Sequence, residues 1–270
     1  MRLRKRSSPR PVTVEAFGVK VAVTLGSPAL HVHLQDILPP TWKPCDATQE
    51  TGQFGLAEIG AESYEVTVGG VRQLEHGTLE VALGLLDAQI RMFIAANARD
   101  WIFVHAGAVA HDGRALVIPG ESFSGKTTLV SALVEAGATY YSDEYAVLDR
   151  DGRVHPYSRR LSIRSDDGSP TLERHVSELG GVAAQNSAEL AVVVVTRYRR
   201  GVEWQPKQLS TGAGALALLA NTVPAQERPA ESLRVLRRAV ARAVVLESDR
   251  GEARPVAAAL LEQLAALILR

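Results

Sequence analysis

The eight residues Gly120-Glu121-Ser122-Phe123-Ser124-Gly125-Lys126-Thr127 constrain this chain more than any other segment. They satisfy G-x-x-x-x-G-K-[ST] in full, between an apolar stretch, Ala115–Ile118, and a helical pattern from Thr127 to Glu135 that Gly137 can stop. A strand feeding a glycine-rich turn that opens a helix leaves backbone N–H groups without intrahelical partners, and those groups favour an anion. In such a loop the lysine, Lys126, meets the β/γ-phosphates of a nucleotide and the Thr127 hydroxyl ligates Mg²⁺, with Thr128 next in the first turn. Gly120 to Thr128 is therefore the candidate site for ATP or another nucleoside triphosphate.

Two acids follow. Thr139-Tyr140-Tyr141 reads as a strand, so Asp143 and Glu144 emerge at its end, close to the loop. A carboxylate there can hold Mg²⁺ or its water, and a second can take the proton from an attacking hydroxyl. No long apolar run precedes the pair, which separates it from the acid-ended strand of ATPase motors. The preceding hairpin adds His105. Trp101–His111 and Arg114–Ile118 flank Asp112-Gly113, a dipeptide suited to a type I′ turn. A two-residue turn pairs His111 with Arg114 and carries His105 to Gly120, where an imidazole can bond a phosphate or orient a carboxylate. Two arginines are candidates for the charge on a transferring phosphoryl group: Arg164, closing the alternating segment Pro156–Arg164, and Arg197, closing the apolar Val192–Val195 run. Arg159, Arg160 and Arg199 rank behind them.

Composition narrows the class. Among 270 residues, Lys+Arg 30 balance Asp+Glu 30, so no global field draws the chain to nucleic acid or an anionic membrane. A single cysteine, Cys45, excludes an internal disulfide framework and a multi-cysteine metal cluster. No apolar run nears the roughly 18 residues of a membrane span, and no apolar segment of signal-peptide type follows the basic start MRLRKRSSPRP, so the expected compartment is the cytoplasm. The chain reads as α/β in three parts: a flexible basic tail (1–11), a strand-rich N-terminal lobe with a connecting helix (12–99), and the loop-bearing domain (100–270). In the lobe, Val19–Leu25 and Tyr64–Val68 are the clearest strands, and Leu79–Ala98 carries helical periodicity. The last part is expected to pair strand Thr139–Tyr141 with Tyr145–Leu148, turning at Asp149–Gly152. It then makes an exposed excursion over 165–187, with a short helix near Thr171–Leu179, and buries a central strand at Leu190–Thr196. Helices at Gly214–Asn221, Ala230–Ala241 and Val256–Leu269 and a strand at Arg242–Glu247 complete it.

The motifs HAGAV (His105–Val109), GESFSGKTT (Gly120–Thr128) and YYSDE (Tyr140–Glu144) together resemble the C-terminal catalytic domain of HPr kinase/phosphorylase and its HPr-kinase-like relatives. Those relatives include serine kinases encoded with ribosomal peptide clusters, some acting on lasso-peptide precursors. The likeness is best over about residues 100–165 and thinner through RYRRG and the C-terminal helices; residues 1–75 do not resemble the N-terminal domain of the bifunctional enzyme. The resemblance implies a P-loop domain with a mixed central sheet, akin to phosphoenolpyruvate carboxykinase, and Mg²⁺-dependent transfer from a nucleotide to a serine hydroxyl of a peptide or protein. By motif, Lys126 and Thr127 match the family's phosphate and metal residues, Asp143 the acid that acts as base, and His105 the histidine preceding the loop. Glu144 stands where the family's second, metal-binding Asp would be. The resemblance leaves a homo-oligomer open. Two other functions fit the same residues: a nucleotide-binding accessory protein without catalysis, and a small-molecule kinase, which needs a deep pocket beside Asp143.

Overall fold

Strands dominate the first hundred positions of the computed structural model, which describes residues 10–121, 124–163 and 172–268. Residues 1–9 of the basic tail, Ser122 and Phe123 of the loop, and Arg164 lie outside the described residues. The chain forms two compact units, one running to Arg99 and one starting at Asp100.

In the first unit six strands run β1 (Val12–Ala16), β2 (Val19–Leu25), β3 (Lys43–Pro44), β4 (Gly52–Gly60), β5 (Ser63–Val68) and β6 (Val71–Gly77). They form one sheet in the order β3-β1-β2-β4-β5-β6, and only β2 and β4 pair in parallel. A one-turn helix, α1 (Leu34–Ile37), lies in the β2–β3 connection. Helix α2 (Leu79–Asn97) starts at Thr78, whose side chain accepts from the Val81 N–H, and it packs on this sheet. Its buried stripe is Ala82, Leu86, Ile90, Ile94 and Ala95, and Phe93 meets Phe54 edge-on at 5.6 Å.

The second unit is built on β7 (Ile102–His111) and β8 (Arg114–Pro119). Asp112 and Gly113 take positive φ, 46° and 75°, and the hairpin pairs His111 with Arg114 and Ala106 with Pro119, the register expected of a two-residue turn. Next come α3 (Lys126–Glu135), β9 (Thr139–Ser142), β10 (Tyr145–Leu148), β11 (Val154–His155), β12 (Leu161–Ile163) and β13 (Leu172–Arg174). The remainder is β14 (Glu189–Tyr198), β15 (Lys207–Leu209), α4 (Thr211–Leu219), α5 (Pro229–Ala239), β16 (Val244–Arg250) and α6 (Ala253–Ile268). An eight-stranded mixed sheet runs β11-β10-β7-β8-β14-β16-β15, with β9 also on β7. As expected of its unbroken valines, β14 is buried between two parallel neighbours, β8 and β16. Alternation splits the core: Ala106, Ala108 and Val117 face α4 and α5, while Val109, Leu116 and Ile118 face α3 and α6. Among the described residues no helix is long and apolar enough to cross a membrane.

Two expectations change. Strands β9 and β10 do not pair with each other; both lie antiparallel on β7, and it is β10 that turns through Asp149–Gly152, onto β11. The helix expected near Thr171–Leu179 is instead strand β13, paired with β12, followed by one 3-10 turn at Val176–Leu179; Thr171 itself lies outside the described residues. Polar side chains hid the strand: Ser162 donates to Glu173 across β12 and β13 at 2.5 Å, on a ladder whose β13 residues are exposed.

Close packing of α3 on β7 depends on Gly107. A Cβ there would stand 2.6 Å from the Val130 methyl on α3, inside the core. Gly107→Val is expected to destabilise the second unit by about 1–3 kcal/mol through overpacking, read as a lower urea midpoint with an unchanged slope.

Candidate functional site

Strand β7 is paired along both edges, and that brings the loop and the acids together. Strand β8 ends at Pro119 opposite Ala106, and β9 ends at Ser142 opposite Ala108, so two carboxyl ends meet over the middle of β7. Ligands in open α/β sheets bind at such ends. On the β8 side, the Gly120 N–H donates to the His105 carbonyl at 3.3 Å, the placement the hairpin register requires. On the other side the strand opens at Asp143-Glu144 and resumes at Tyr145, opposite His105. Ser142 makes the interruption affordable, because its Oγ accepts the backbone N–H groups of Glu144 (3.0 Å) and Tyr145 (2.9 Å).

Asp143 therefore projects onto the first turn of α3. The Thr127 hydroxyl donates to its Oδ2 at 3.1 Å, and the Tyr140 hydroxyl donates to its Oδ1 at 2.8 Å. Burial pushes the Asp143 carboxyl above its ordinary pKa; the bonds from Tyr140 and Thr127 pull the other way, and the Glu144 charge adds to the rise. Burial likewise lifts the Tyr140 phenol, helped by the Asp143 charge and opposed by that of Arg159. Lys126 lies back along the loop, its Nζ donating to the carbonyls of Gly120 and Glu121, both at 2.7 Å. Burial lowers its pKa, against the raising charges of Glu144, Asp143 and Glu121. Of its three ammonium donors, these bonds engage two.

His105 lines the same region, its Nε2 3.8 Å from Glu144 Oε1 and its ring beside Tyr145. Loop residues Gly120, Glu121, Ser124 and Gly125 lead into α3, with Gly125 as N-cap at φ 85°, and Thr128 follows Thr127 in the helix. Arg197 is not gathered with them. It is exposed at the end of β14 and lines a groove of about 520 Å³ with Arg199, Lys207, Glu247 and Asp249, which among the described residues holds none of the loop and neither acid. An arginine that does bond the loop is Arg250, at the end of β16. It is 1% exposed, its Nη2 donates to the Gly125 carbonyl at 2.7 Å, and its guanidinium lies 5.5 Å from the Tyr198 ring centre. Arg250 stands in no motif, and Tyr140, though it opens the YYSDE segment, is not among the residues that segment marks for the site. The parallel β14–β16 register, which sets Arg250 beside Tyr198, is the signal for the first; only the strand alternation of β9 hints at the second.

Charge burial singles out this region. Among the described residues the buried charged side chains are Lys126, Asp143 and Arg250, and all three bond the loop or the first residues of α3. Charged groups leave water only with partners, and here the two cations bond backbone carbonyls beside a helix N-terminus, an end that favours an anion. No group of three His, Cys, Asp or Glu capable of holding a metal occurs among the described residues. Mg²⁺ does not require one, since it is commonly bound by one or two carboxylates together with substrate phosphates and water. Thr127, Asp143 and Glu144 fit that pattern. A comparison with models of known protein families finds no match, and neither does a comparison with curated proteins.

The raised pKa of Asp143 has a stability consequence. Its folded form holds a proton more firmly than its unfolded form, so the contribution to stability is complete below the unfolded pKa and is lost as pH rises through the folded value. Asp143→Asn is expected to match the parent in thermal midpoint near about pH 4 and to exceed it by a few degrees at neutral pH. Melting curves across that range without metal or nucleotide check this.

Proposed function

We propose that the second unit is a Mg²⁺- and nucleotide-dependent kinase of the HPr-kinase-like type, with a P-loop at Gly120–Thr128, acting on a serine hydroxyl of a peptide or protein. The observation that carries this reading is the 3.1 Å bond from Thr127 to Asp143, which joins the loop's metal-binding hydroxyl to an acid from a strand on the far side of β7. A glycine-rich turn that only capped a helix would have no use for a buried carboxylate there.

The residues divide the work. Free N–H groups at the start of α3 and the Lys126 ammonium hold the phosphates, Lys126 exchanging loop carbonyls for phosphate oxygens. Thr127 with Asp143 or Glu144 would hold Mg²⁺, which would supply neutralising charge at the phosphates. In the transfer, the serine oxygen forms a bond to the γ-phosphorus as the bond to the β,γ-bridging oxygen breaks. The serine proton passes to a carboxylate, and the nucleoside diphosphate leaves. Asp143 is suited to take that proton, because burial raises its affinity for one. A second assignment rests on the same bond: Asp143, engaged by Thr127, serves the metal side, and Glu144 beside His105 takes the proton. Either way catalysis is positioning and electrostatics.

The test uses γ-labelled ATP, Mg²⁺ and a library of serine-containing peptides. The parent is expected to transfer label, and Asp143→Asn to lose at least about 10²-fold in rate while binding Mg·ATP within about threefold of the parent. If Glu144→Gln loses rate equally and Asp143→Asn instead shifts the Mg²⁺ requirement, the second assignment holds. Binding without transfer to any acceptor supports an accessory role, and absence of Mg·ATP affinity overturns the proposal.

A further inference from the structure

We infer that Arg250 is a positioning residue that fixes the Gly125–Lys126 peptide, so that the Lys126 N–H faces the anion site; this rests on the nucleotide-binding reading above. Arg250 lies 125 positions from Gly125 in the chain, yet its guanidinium donates both to the Gly125 carbonyl (2.7 Å) and to the carbonyl of its neighbour Gly251 (2.9 Å). Among the described residues its Nε has no hydrogen-bond partner and no carboxylate forms a salt bridge with it, although the Glu252 charge acts on it from farther off. A fully buried cation held by carbonyls and an aromatic face is expensive to maintain for packing alone.

The geometry of a peptide group explains what it achieves. A trans peptide is planar, with C=O and N–H pointing in opposite directions. Anchoring the Gly125 carbonyl on Arg250 therefore aims the Lys126 N–H the other way, out of the helix N-terminus, where it has no intrahelical partner. Gly125 is the place where this orientation is most easily lost. It sits at φ 85°, where glycine reorients with little steric penalty, and the Leu129 N–H donates to the same carbonyl from within the helix only at 3.2 Å. The contact also leaves no room for a side chain: a Cβ on Gly125 would stand 2.7 Å from Arg250 Nη2 and 3.4 Å from the Tyr198 Cβ. Glycine at 125 is thus favoured twice, by its φ and by the closeness of Arg250.

The experiment measures Mg·ATP affinity by calorimetry and the Lys126 amide resonance in ¹⁵N-labelled full-length protein. Arg250→Met is expected to weaken Mg·ATP at least about tenfold, the scale of losing a charge-assisted hydrogen bond, and to abolish the shift of the Lys126 amide on nucleotide addition. Arg250→Lys keeps the charge but offers a point donor on a shorter stem, so it should recover part of the affinity and part of the shift. If Arg250→Met does not fold, Arg250→Lys decides, with a loss of at least about threefold expected. A parent that binds Mg·ATP while the folded variants bind it equally well, or keep the parent's amide shift, overturns the inference alone. A parent with no Mg·ATP affinity overturns the proposed function and this inference with it.

Discussion

The hydrogen bond from Thr127 to Asp143 exists only because β7 is paired on both edges. One edge carries β8, which delivers the glycine-rich loop; the other carries β9, which delivers the acid. Remove either pairing and the residues separate by the width of a strand or more, since neighbouring strands lie about 4.8 Å apart. The same double pairing explains why the backbone opens where it does. A strand continuing past Ser142 would keep Asp143 in the ladder opposite Gly107. Ser142 instead takes over two amides and lets the acid turn toward α3 while Ala106 still donates to the Glu144 carbonyl.

Burial then gives these residues their chemistry. A carboxylate and an ammonium on the surface would keep their ordinary proton affinities; here desolvation pushes Asp143 up and Lys126 down, each toward its neutral form. Both shifts run against stability, and both groups are retained. Structural ion pairs rarely show this pattern, because a direct contact between the partners would offset the desolvation. In this site the cations bond carbonyls and the acid bonds hydroxyls, so each charge keeps capacity for a further partner.

Much of this arrangement was legible in the sequence, and the reasons are local. The Asp112-Gly113 turn fixed the hairpin register, and the register alone carried His105 to Gly120. The loop motif spans eight adjacent residues, and Asp143 follows a short strand, so chain proximity does most of the placing. What escaped depends on contacts between distant segments. Periodicity cannot say which edge a strand joins, and so the sequence suggests β9 on β10, whereas both lie on β7. Arg197 and Arg250 end neighbouring parallel strands one position out of step: Arg197 sits opposite Asp249, and Arg250 opposite Tyr198. A side chain alternates faces along a strand, so one step decides which arginine reaches the loop. The apolar run before Arg197 marks that residue in the sequence; Ser248 and Asp249 before Arg250 supply no such mark.

That one-residue distinction bears on how the loop is held. Its conformation is set from three directions: Lys126 ties Gly120 and Glu121 from within, Asp143 holds Thr127 from β9, and Arg250 holds Gly125 from β16. The last two anchors come from strands on opposite sides of β7 and β8, so the sheet itself fixes the distance between them. A glycine-rich turn is otherwise the segment with the most conformational freedom to lose on binding an anion. Tying it to the sheet beforehand transfers that entropic loss from the binding step to folding, where a large buried core offsets it. Donors that are already oriented need no reorganisation as charge develops on a bound phosphoryl group, and a low-dielectric surrounding makes each of them stronger. The buried charges around the loop therefore have a single physical account: they destabilise the fold locally and in return hold the glycine-rich turn in one shape, the shape the proposed function requires.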